Sequence, residues 1–308
     1  MSAVPELSGP VRAALAAGRP VVALESAIIS HGLPRPANLT AARSFEAMLT
    51  QAGVTPATIA VVDGVPKAGL DDADLERVAL GEPVVKVSSR DLPMAIAGKR
   101  TAGTTVAATA LLAAKAGIRV FATGGLGGVH RGSADSLDES ADLTVLSRTR
   151  ITVVSAGVKS ILDIPATLER LETLGVAVAG YRTNRFPAFY VSDSGQDLEW
   201  RLDSPQEIAA VMAAADLLGE ASALLVANPL PPDRQLDPAL HHRVLAESLA
   251  AARAAGIRGK AVTPFLLDYM QRATGGVSVT VNLDIARGNI ALAGQIAIAW
   301  AARTAARE

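Results

Sequence analysis

Seven short runs of β-branched and other apolar residues recur along the chain, and most are separated by helix-like stretches rich in alanine and leucine. Strands that alternate with helices favour βαβ units, in which parallel strands form one sheet covered by helices on both faces. We therefore predict an α/β fold, a three-layer α/β/α sandwich with a mostly parallel, mixed central sheet. The predicted strands cover residues 21–26, 58–64, 84–89, 119–125, 151–157, 176–182 and 223–229.

The organisation of the chain predicts one large unit. No repeat of fixed period and no low-complexity linker divides the 308 residues, half of which are hydrophobic. A chain of this size can bury a sizeable core, so we interpret residues 1–308 as a single α/β catalytic domain. Residues 183–205 could form an inserted excursion, Pro229–Pro232 should form a surface loop, and the stretch from Asp284 onward should be a helix.

Charge and composition exclude several classes of partner. The chain has 29 basic and 30 acidic residues, a formal net charge of −1, no block of like charges and only 3% aromatic residues. This pattern is not typical of nucleic-acid binding, and it favours a small polar ligand. Signal-peptide features and apolar runs of about eighteen residues are missing from the sequence, so we expect a cytoplasmic protein with no membrane partner.

The absence of cysteine restricts the chemistry. Without thiols, disulfides, thiolate nucleophiles and cysteine-ligated metals are excluded. The four histidines are at positions 31, 130, 241 and 242, and no metalloprotease-like spacing joins them. Any metal should therefore be a hard divalent ion bound mainly by oxygen.

One lysine, Lys159, follows the apolar run of residues 151–157 and precedes a leucine-rich, helix-like stretch. An amine at a strand end that is partly removed from water has a lowered pKa, because desolvation disfavours its charged form. Such an amine can form a Schiff base with a carbonyl. A lysine that merely extends from a strand end into solvent would give the same pattern.

Two other charged residues lie at informative positions in predicted strands. Glu25 ends the run that begins at Val21, where a desolvated carboxyl becomes a usable general acid; a helix-capping or salt-bridged glutamate is the alternative. Lys86 lies inside an apolar strand, and the residues Gly103-Thr104-Thr105 precede a predicted helix. Both features could hold an anion.

The loop at residues 122–143 is rich in glycine, serine and acids. Four glycines within five positions can form an anion-binding nest, but their spacing matches neither the dinucleotide fingerprint nor the P-loop. A mobile glycine loop is the alternative. Four acids follow, and they could hold magnesium or manganese or could cap helices: Asp135, Asp138, Glu139 and Asp142.

Together these features suggest sugar-phosphate chemistry through an imine, which an aldolase, an isomerase and a glycosidase could all perform. Long strings of residues then narrow the choice. These strings are long and occur in a characteristic order. Through them the sequence resembles the pseudouridine-5′-phosphate glycosidase family, also called indigoidine synthase A-like, over nearly the whole chain. The strings are ALESAIISHGLPRPAN (23–38), VPKAGL (65–70), KVSSRDLP (86–93), AGTT (102–105), ATGGLGGVHRG (122–132), SAGVKSILDIPATLE (155–169) and NPLPP (228–232).

This resemblance implies a homotrimer that cleaves the C–C glycosidic bond of pseudouridine 5′-phosphate to uracil and ribose 5-phosphate, with one Mn²⁺ ion per subunit. It implies that Lys159 is the nucleophile that forms the ribose imine, that Glu25 is the proton donor and that Asp138 is the metal ligand. It also implies six substrate contacts, of which Asn282 would face the uracil: Lys86, Val106, Ser140, Ala141, Asp142 and Asn282.

The chemistry agrees with these roles. A C-glycoside has no heteroatom leaving group, so the usual pair of glycosidase carboxylates would not break its bond. We expect Glu25 to protonate the ribose ring oxygen while Lys159 takes the anomeric carbon. Two alternatives stay open from the residues alone: an imine-forming lyase or aldolase that acts on another phosphosugar, and a non-catalytic sugar-phosphate sensor.

Overall fold

The computed structural model describes residues 5–257 and 262–306. The strands are β1 (Glu6–Leu7), β2 (Val21–Glu25), β3 (Thr55–Val62), β4 (Val65–Ala68), β5 (Val84–Val87), β6 (Thr101–Thr104), β7 (Val120–Ala122), β8 (Thr152–Ser155), β9 (Ala177–Tyr181), β10 (Arg201–Leu202) and β11 (Leu224–Ala227).

The helices within the described ranges are α1 (Gly9–Ala16), α2 (Ala37–Gln51), α3 (Asp72–Leu80), α4 (Leu92–Ala97), α5 (Val106–Lys115), α6 (Ser133–Ser136), α7 (Ala141–Leu146), α8 (Ile164–Thr173), α9 (Pro205–Leu218), α10 (Pro238–Ala254), α11 (Val262–Ala273) and α12 (Val277–Ala305). None of them is long and apolar enough to cross a membrane. Several begin at a side chain that accepts a backbone N–H two or three residues later, as N-caps do: Ser8, Asp71, Ser140, Asp163, Ser204 and Asp237.

The strands form one mixed sheet in the order β1-β4-β3-β2-β7-β8-β11-β9-β10, with β6 paired to β3 and β5 paired to β6. Among the described strands, β3–β4 and β3–β6 are the antiparallel pairs and the others are parallel. The central strands β2, β7, β8 and β11 are mostly apolar and are buried at every position except Glu25, as expected when a parallel sheet is covered on both faces.

Alternation along β2 separates the two covered faces. Val21 and Ala23 belong to one buried cluster, which includes residues of α5, α7, α8 and α10. Val22 and Leu24 belong to another, which includes residues of α2, α9 and α12. Because successive side chains of a strand point to opposite faces, these two clusters are the two interfaces of a three-layer sandwich. The predicted fold class is confirmed.

Each of the seven predicted strands is present, and α12 covers the described part of the predicted C-terminal helix. Four strands of two to four residues were missed: β1, β4, β6 and β10. Residues 229–232 lie in a loop, as predicted. Residues 183–200, within the predicted excursion, have no regular helix or strand and are joined to one another by backbone hydrogen bonds such as Phe186 N to Gln196 O at 2.8 Å. The single-domain interpretation stays a prediction.

Candidate active site

Three adjacent parallel strands, β2, β7 and β8, bring the predicted catalytic residues to one edge of the sheet. Glu25 is the last residue of β2, Thr123 directly follows β7, and Lys159 lies four residues after the end of β8. Ligands of open α/β sheets bind outside the carboxyl ends of the strands. The candidate site therefore lies where this fold class usually places one.

The end of β2 is unusual because β6 takes over its place beside β3. Strand β2 pairs with β3 as far as Ile59, and β6 then pairs with Ala60 and Val61. Ser26 secures the junction, because its hydroxyl donates to Ile59 O at 2.6 Å and accepts from Thr104 N at 2.9 Å. Because β6 continues beside β3 where β2 ends, the start of α5, which follows β6, lies beside Glu25.

The Glu25 carboxyl is partly buried and accepts a hydrogen bond from the Thr123 hydroxyl at 3.0 Å. Burial raises the pKa of Glu25; the charges of Lys159 and Lys86 and the Thr123 bond oppose that rise, and Asp142 adds to it. A raised pKa suits a proton donor. The desolvation is explained by the small, largely apolar cavity beside the carboxyl, which is lined by Leu24, Glu25, Ile28, Phe45, Ala122, Thr123, Gly124, Ala286 and Ile290.

The structure brings Lys159 and Lys86 close to Glu25. The charges of both lysines lower the pKa of Glu25, and the charge of Lys159 lowers the pKa of Lys86. Part of the Lys86 side chain is exposed, but desolvation of its ammonium group lowers its pKa, and the charge of Lys159 lowers it further. Glu25 and Asp142 oppose this effect. Among the described residues, neither lysine side chain has a hydrogen-bond or ion-pair partner, so both are free to meet an anionic or electrophilic ligand.

Asp142 connects the start of α5 to the glycine loop. It is 5% exposed, and its two carboxylate oxygens accept from Ala107 N at 2.9 Å and from Gly127 N at 2.8 Å. A Cβ on Gly127 would lie 2.3 Å from Ser140 Oγ, so only glycine fits there. Ser140 caps α7 by accepting from Asp142 N at 3.2 Å, and Ala141 begins that helix.

The start of α5, close to Glu25 and Lys86, is a candidate site for binding an anion. Val106 is the first residue of this helix, and β5 and β6 place Lys86 opposite Gly103, three residues earlier. The Thr105 hydroxyl oxygen is buried and has no hydrogen-bond partner within the described ranges. Free amides and hydroxyls at a helix N-terminus, together with a lysine, are groups that bind phosphate.

Helix α12 brings two amide side chains to the turn at Thr123–Gly124. Asn282 Oδ1 lies 3.5 Å from where a Cβ on Gly124 would be. The Asn289 amide donates to Thr123 O at 2.7 Å and, more weakly, to Gly124 O at 3.3 Å. Sequence reasoning missed Thr123 and Asn289; the available signal for Asn289 was its position seven residues after Asn282, on the same face of a helix.

The predicted excursion packs over the site. Phe189 adopts a left-handed backbone conformation, with φ of 64°, and its ring lies 2.6 Å from where a Cβ on Gly125 would be. A Cβ on Gly157 would lie 2.5 Å from Pro187 O. Two glycine turns, one after β7 and one before Lys159, thus accept this segment at close range.

Asp138, the predicted metal ligand, lies at the surface of the same acidic loop. Its side chain is 39% exposed, and its carboxylate lies 4.0 Å from His130 Nδ1. The side chain of Asp135 lies outside the described part of the chain, and among the side chains that are described no three of His, Cys, Asp or Glu form a group that could hold a metal. The neighbouring Glu139 binds Arg170 at 2.9 Å. An accessible carboxylate fits an ion that keeps most of its water ligands, as magnesium-like ions do.

Comparison with known proteins gives a consistent match. A family model described as indigoidine synthase A like protein matches residues 10–299. The chain is 63% identical over 297 residues to a pseudouridine-5′-phosphate glycosidase of Frankia alni, covering 96% of this chain and 82% of the relative. It is 61% identical over 298 residues to one of Saccharopolyspora erythraea, covering 97% and 98%.

Two solved structures are similar in fold. The prealnumycin C-glycosynthase AlnA, solved in complex with ribulose 5-phosphate, superposes with a TM-score of 0.91 at 38% identity and covers 98% of both chains. An indigoidine synthase A-like protein of Thermotoga maritima gives a TM-score of 0.86 at 35% identity over 95% of both chains.

Proposed function

Because the chain belongs to the indigoidine synthase A-like family, we propose that it reversibly hydrolyses the C–C glycosidic bond of pseudouridine 5′-phosphate, giving uracil and ribose 5-phosphate. Relatives that are 50–63% identical over nearly the whole chain carry the name of this enzyme. The observation that carries the proposal is that Glu25, at the end of β2, and Lys159, shortly after β8, lie at the same edge of the sheet with only β7 between their strands. An open-chain five-carbon sugar phosphate bound to the C-glycosynthase is consistent with an imine-forming lysine.

In the first step, Glu25 gives its proton to the ribose ring oxygen as the Lys159 amine bonds to the anomeric carbon and the bond from that carbon to the ring oxygen breaks. The raised pKa of Glu25 keeps this proton available near neutral pH. The amine reacts in its neutral form, so the bonded nitrogen then loses a proton.

In the second step, the uracil carbon that bears the sugar gains one proton, which balances the proton that the nitrogen lost. The nitrogen lone pair then forms the C=N bond while the carbon–carbon bond breaks, and its electron pair restores the double bond of uracil. Water hydrolyses the resulting imine, which releases ribose 5-phosphate and regenerates the lysine. Asn282, beside Gly124, is proposed to hydrogen-bond the uracil.

The remaining substrate contacts are proposed from the resemblance and the geometry. Lys86 and the amide of Val106, at the start of α5, are suited to the phosphate. Asp142 accepts a hydrogen bond from Ala107 N at that helix start, and Ser140 and Ala141 precede it at the start of α7. Because both Asp142 oxygens already accept backbone amides, its contribution is mainly to fix the loop that faces the substrate.

Asp138 is proposed to hold one Mn²⁺ ion, which when bound would act as a Lewis acid toward the uracil oxygens and help to hold the base in place. A homotrimer in the cytoplasm is proposed from the family resemblance. Large exposed apolar side chains, including Met94 at 61% and Trp200 at 70% exposure, are consistent with association.

The test is uracil release from pseudouridine 5′-phosphate, with and without manganese, by the wild type and Lys159→Ala. We expect metal-dependent release that the variant loses, and a borohydride-trapped adduct on Lys159 with ribose 5-phosphate. A trapped adduct without any uracil release would instead favour an aldolase or lyase that acts on another phosphosugar. Ligand binding with neither result would favour the sensor.

A further inference from the structure

Asn289 is a buried amide whose bonds all go to the carboxyl ends of strands. It lies on α12 and is 1% exposed. Its nitrogen donates to Thr123 O at 2.7 Å and lies 3.3 Å from Gly124 O, and its oxygen accepts from Asn228 Nδ2 at 2.9 Å. Each polar atom of the amide group is therefore used, as is required of a buried polar side chain.

Through its partners, Asn289 is linked to four strands. Asn228 follows β11, and its backbone nitrogen donates to Ser155 O of β8 at 2.8 Å. Thr123 follows β7, and its side-chain hydroxyl donates to Glu25 of β2 at 3.0 Å. Thr123 therefore makes both contacts: its carbonyl accepts from the Asn289 amide, and its hydroxyl donates to the Glu25 carboxyl. The orientation of the turn at Thr123–Gly124 determines whether that hydroxyl reaches the carboxyl.

The same helix carries the residue proposed to meet uracil. Asn282 precedes Asn289 by seven residues, which places both on one face of α12 about 10 Å apart along its axis. Both side chains lie against the Thr123–Gly124 turn. A change in how Asn289 holds this turn would therefore displace the turn relative to Glu25 and Asn282 together.

We propose that Asn289 is a positioning residue for the proton donor: it fixes the Thr123–Gly124 turn, and thereby holds the Thr123 hydroxyl on Glu25 and the turn against Asn282. It acts through Thr123 and touches no reacting atom. This inference rests on the proposed function for the role of Glu25. The bond network itself does not depend on which substrate is used.

The experiment compares Asn289→Leu with a matched control, Asn38→Leu. Asn38 is also fully buried, and its amide also donates to two backbone carbonyls, Ile29 O at 2.6 Å and Ala79 O at 2.8 Å. No bond joins it to Glu25 or Thr123 within the described ranges. The control therefore loses two comparable carbonyl bonds away from the proton donor. Each variant is assayed for uracil release, for pH dependence of kcat/KM, and for thermal stability.

We expect Asn289→Leu to lower kcat by about 10- to 100-fold, because small misplacements of catalytic groups have effects of this size. KM for pseudouridine 5′-phosphate should change by less than about threefold, because its phosphate contacts are elsewhere. The alkaline limb should move to higher pH, because loss of the Thr123 bond removes an effect that lowers the pKa of Glu25; the charges of Lys159, Lys86 and Asp142 around it are unchanged. Asn38→Leu should lose thermal stability without moving the limb.

A double-mutant cycle with Thr123→Val tests the route. If Asn289 acts through the Thr123 hydroxyl, the effects of the two substitutions on the pH limb should not add. Full additivity would overturn the proposal, as would an Asn289→Leu enzyme with wild-type kcat and pH limb. If Asn289→Leu does not fold, Asn228→Ala provides the same test. It removes one bond to Asn289, and we expect a smaller, two- to fivefold loss of kcat by order of magnitude.

A readout without substrate separates this proposal from the proposed function. The Glu25 carboxyl is followed by ¹³C NMR during a pH titration, with Glu25→Gln used for assignment. We expect its titration midpoint to rise in Asn289→Leu and to stay in place in Asn38→Leu. An unmoved midpoint in the folded Asn289→Leu variant would overturn the positioning role even if the enzyme is active. Absent uracil release from the wild type would overturn the function and leave this measurement to decide on Asn289.

Discussion

Asp138 and Asp142 lie four residues apart in one acidic stretch, yet the fold gives them opposite surroundings. Asp142 is buried, and both of its oxygens are taken by backbone amides from α5 and from the glycine loop. The Asp138 side chain is 39% exposed, and its carboxylate lies 4.0 Å from His130 Nδ1. The same residue type thus stabilises the architecture at one position and remains available to a ligand at the other. What differs is whether backbone donors converge on the carboxylate.

The largest expected difference is in stability. Asp142→Ala leaves the buried amide of Ala107 and the part-buried amide of Gly127 without acceptors, at a cost of about 1–3 kcal/mol for the first and less for the second, so its free energy of unfolding should fall by about 2–4 kcal/mol. Asp138→Ala should change it by less than about 0.5 kcal/mol, because its side chain is at the surface. Denaturant unfolding of both variants measures this. Equal losses at the two positions would break the comparison.

A smaller loss is expected when the partner of Asp142 is altered instead. In Gly127→Ala, the new methyl group would meet Ser140 Oγ at 2.3 Å and Asp142 Oδ2 at 2.7 Å. The free energy of unfolding should decrease by about 1–3 kcal/mol, as in other overpacked sites. The control is Gly9→Ala, where a Cβ meets nothing within 4 Å. A fully stable Gly127→Ala protein would mean that the loop adjusts without cost.

Metal binding should depend on the other aspartate. Asp138→Asn should weaken Mn²⁺ binding by about 10- to 100-fold, because the carboxylate charge is the main protein contribution to a water-rich ion site. Its melting temperature without metal should be unchanged. Asp142→Asn is the matched variant, and its affinity should stay near the wild-type value. Titration followed by manganese EPR measures both, and unchanged affinity in Asp138→Asn would assign the ion to other residues.

The smallest predicted change in rate concerns the Glu25 carboxyl, which accepts fewer hydrogen bonds than Asp142 but is less exposed than Asp138. Glu25 has one hydrogen bond, from Thr123, and burial raises its pKa. The rate should fall as pH rises through that raised pKa, because the acid loses its proton. Thr123→Val removes a bond that favours the carboxylate, so the alkaline limb of kcat/KM should move to higher pH. A limb that moves to lower pH would contradict the assignment of Glu25 as the acid.

The stability of the fold should follow the same sign. Between the ordinary pKa of a glutamate and the raised pKa of Glu25, the folded protein binds more protons than the unfolded chain. Its stability must therefore decline as pH rises through that interval. Glu25→Gln should lack this part of the decline in denaturant titrations at several pH values.

Much of the scaffold was predictable from periodicity. Short apolar runs identified the seven main strands, and because Glu25 and Lys159 terminate or closely follow such runs, their position at one edge of the sheet followed as well. The short strands were not predictable. Strand β6 has only the residues TAGT, and it is a strand because β3 offers free backbone groups beyond the end of β2. That junction is what brings Lys86 and the start of α5 to Glu25.

The sequence by itself determined the layers, the strand ends and the family. The first two depend on short apolar runs that alternate with helix-like stretches, and the family depends on long strings of residues. Only the tertiary structure decided how the acids divide their roles, and it decided that Thr123 and Asn289, 166 residues apart, hold the same turn. Hydrogen bonds of this kind join groups that no local pattern relates. Their partners are selected by where the backbone of a distant segment leaves a donor or acceptor unsatisfied in the folded core.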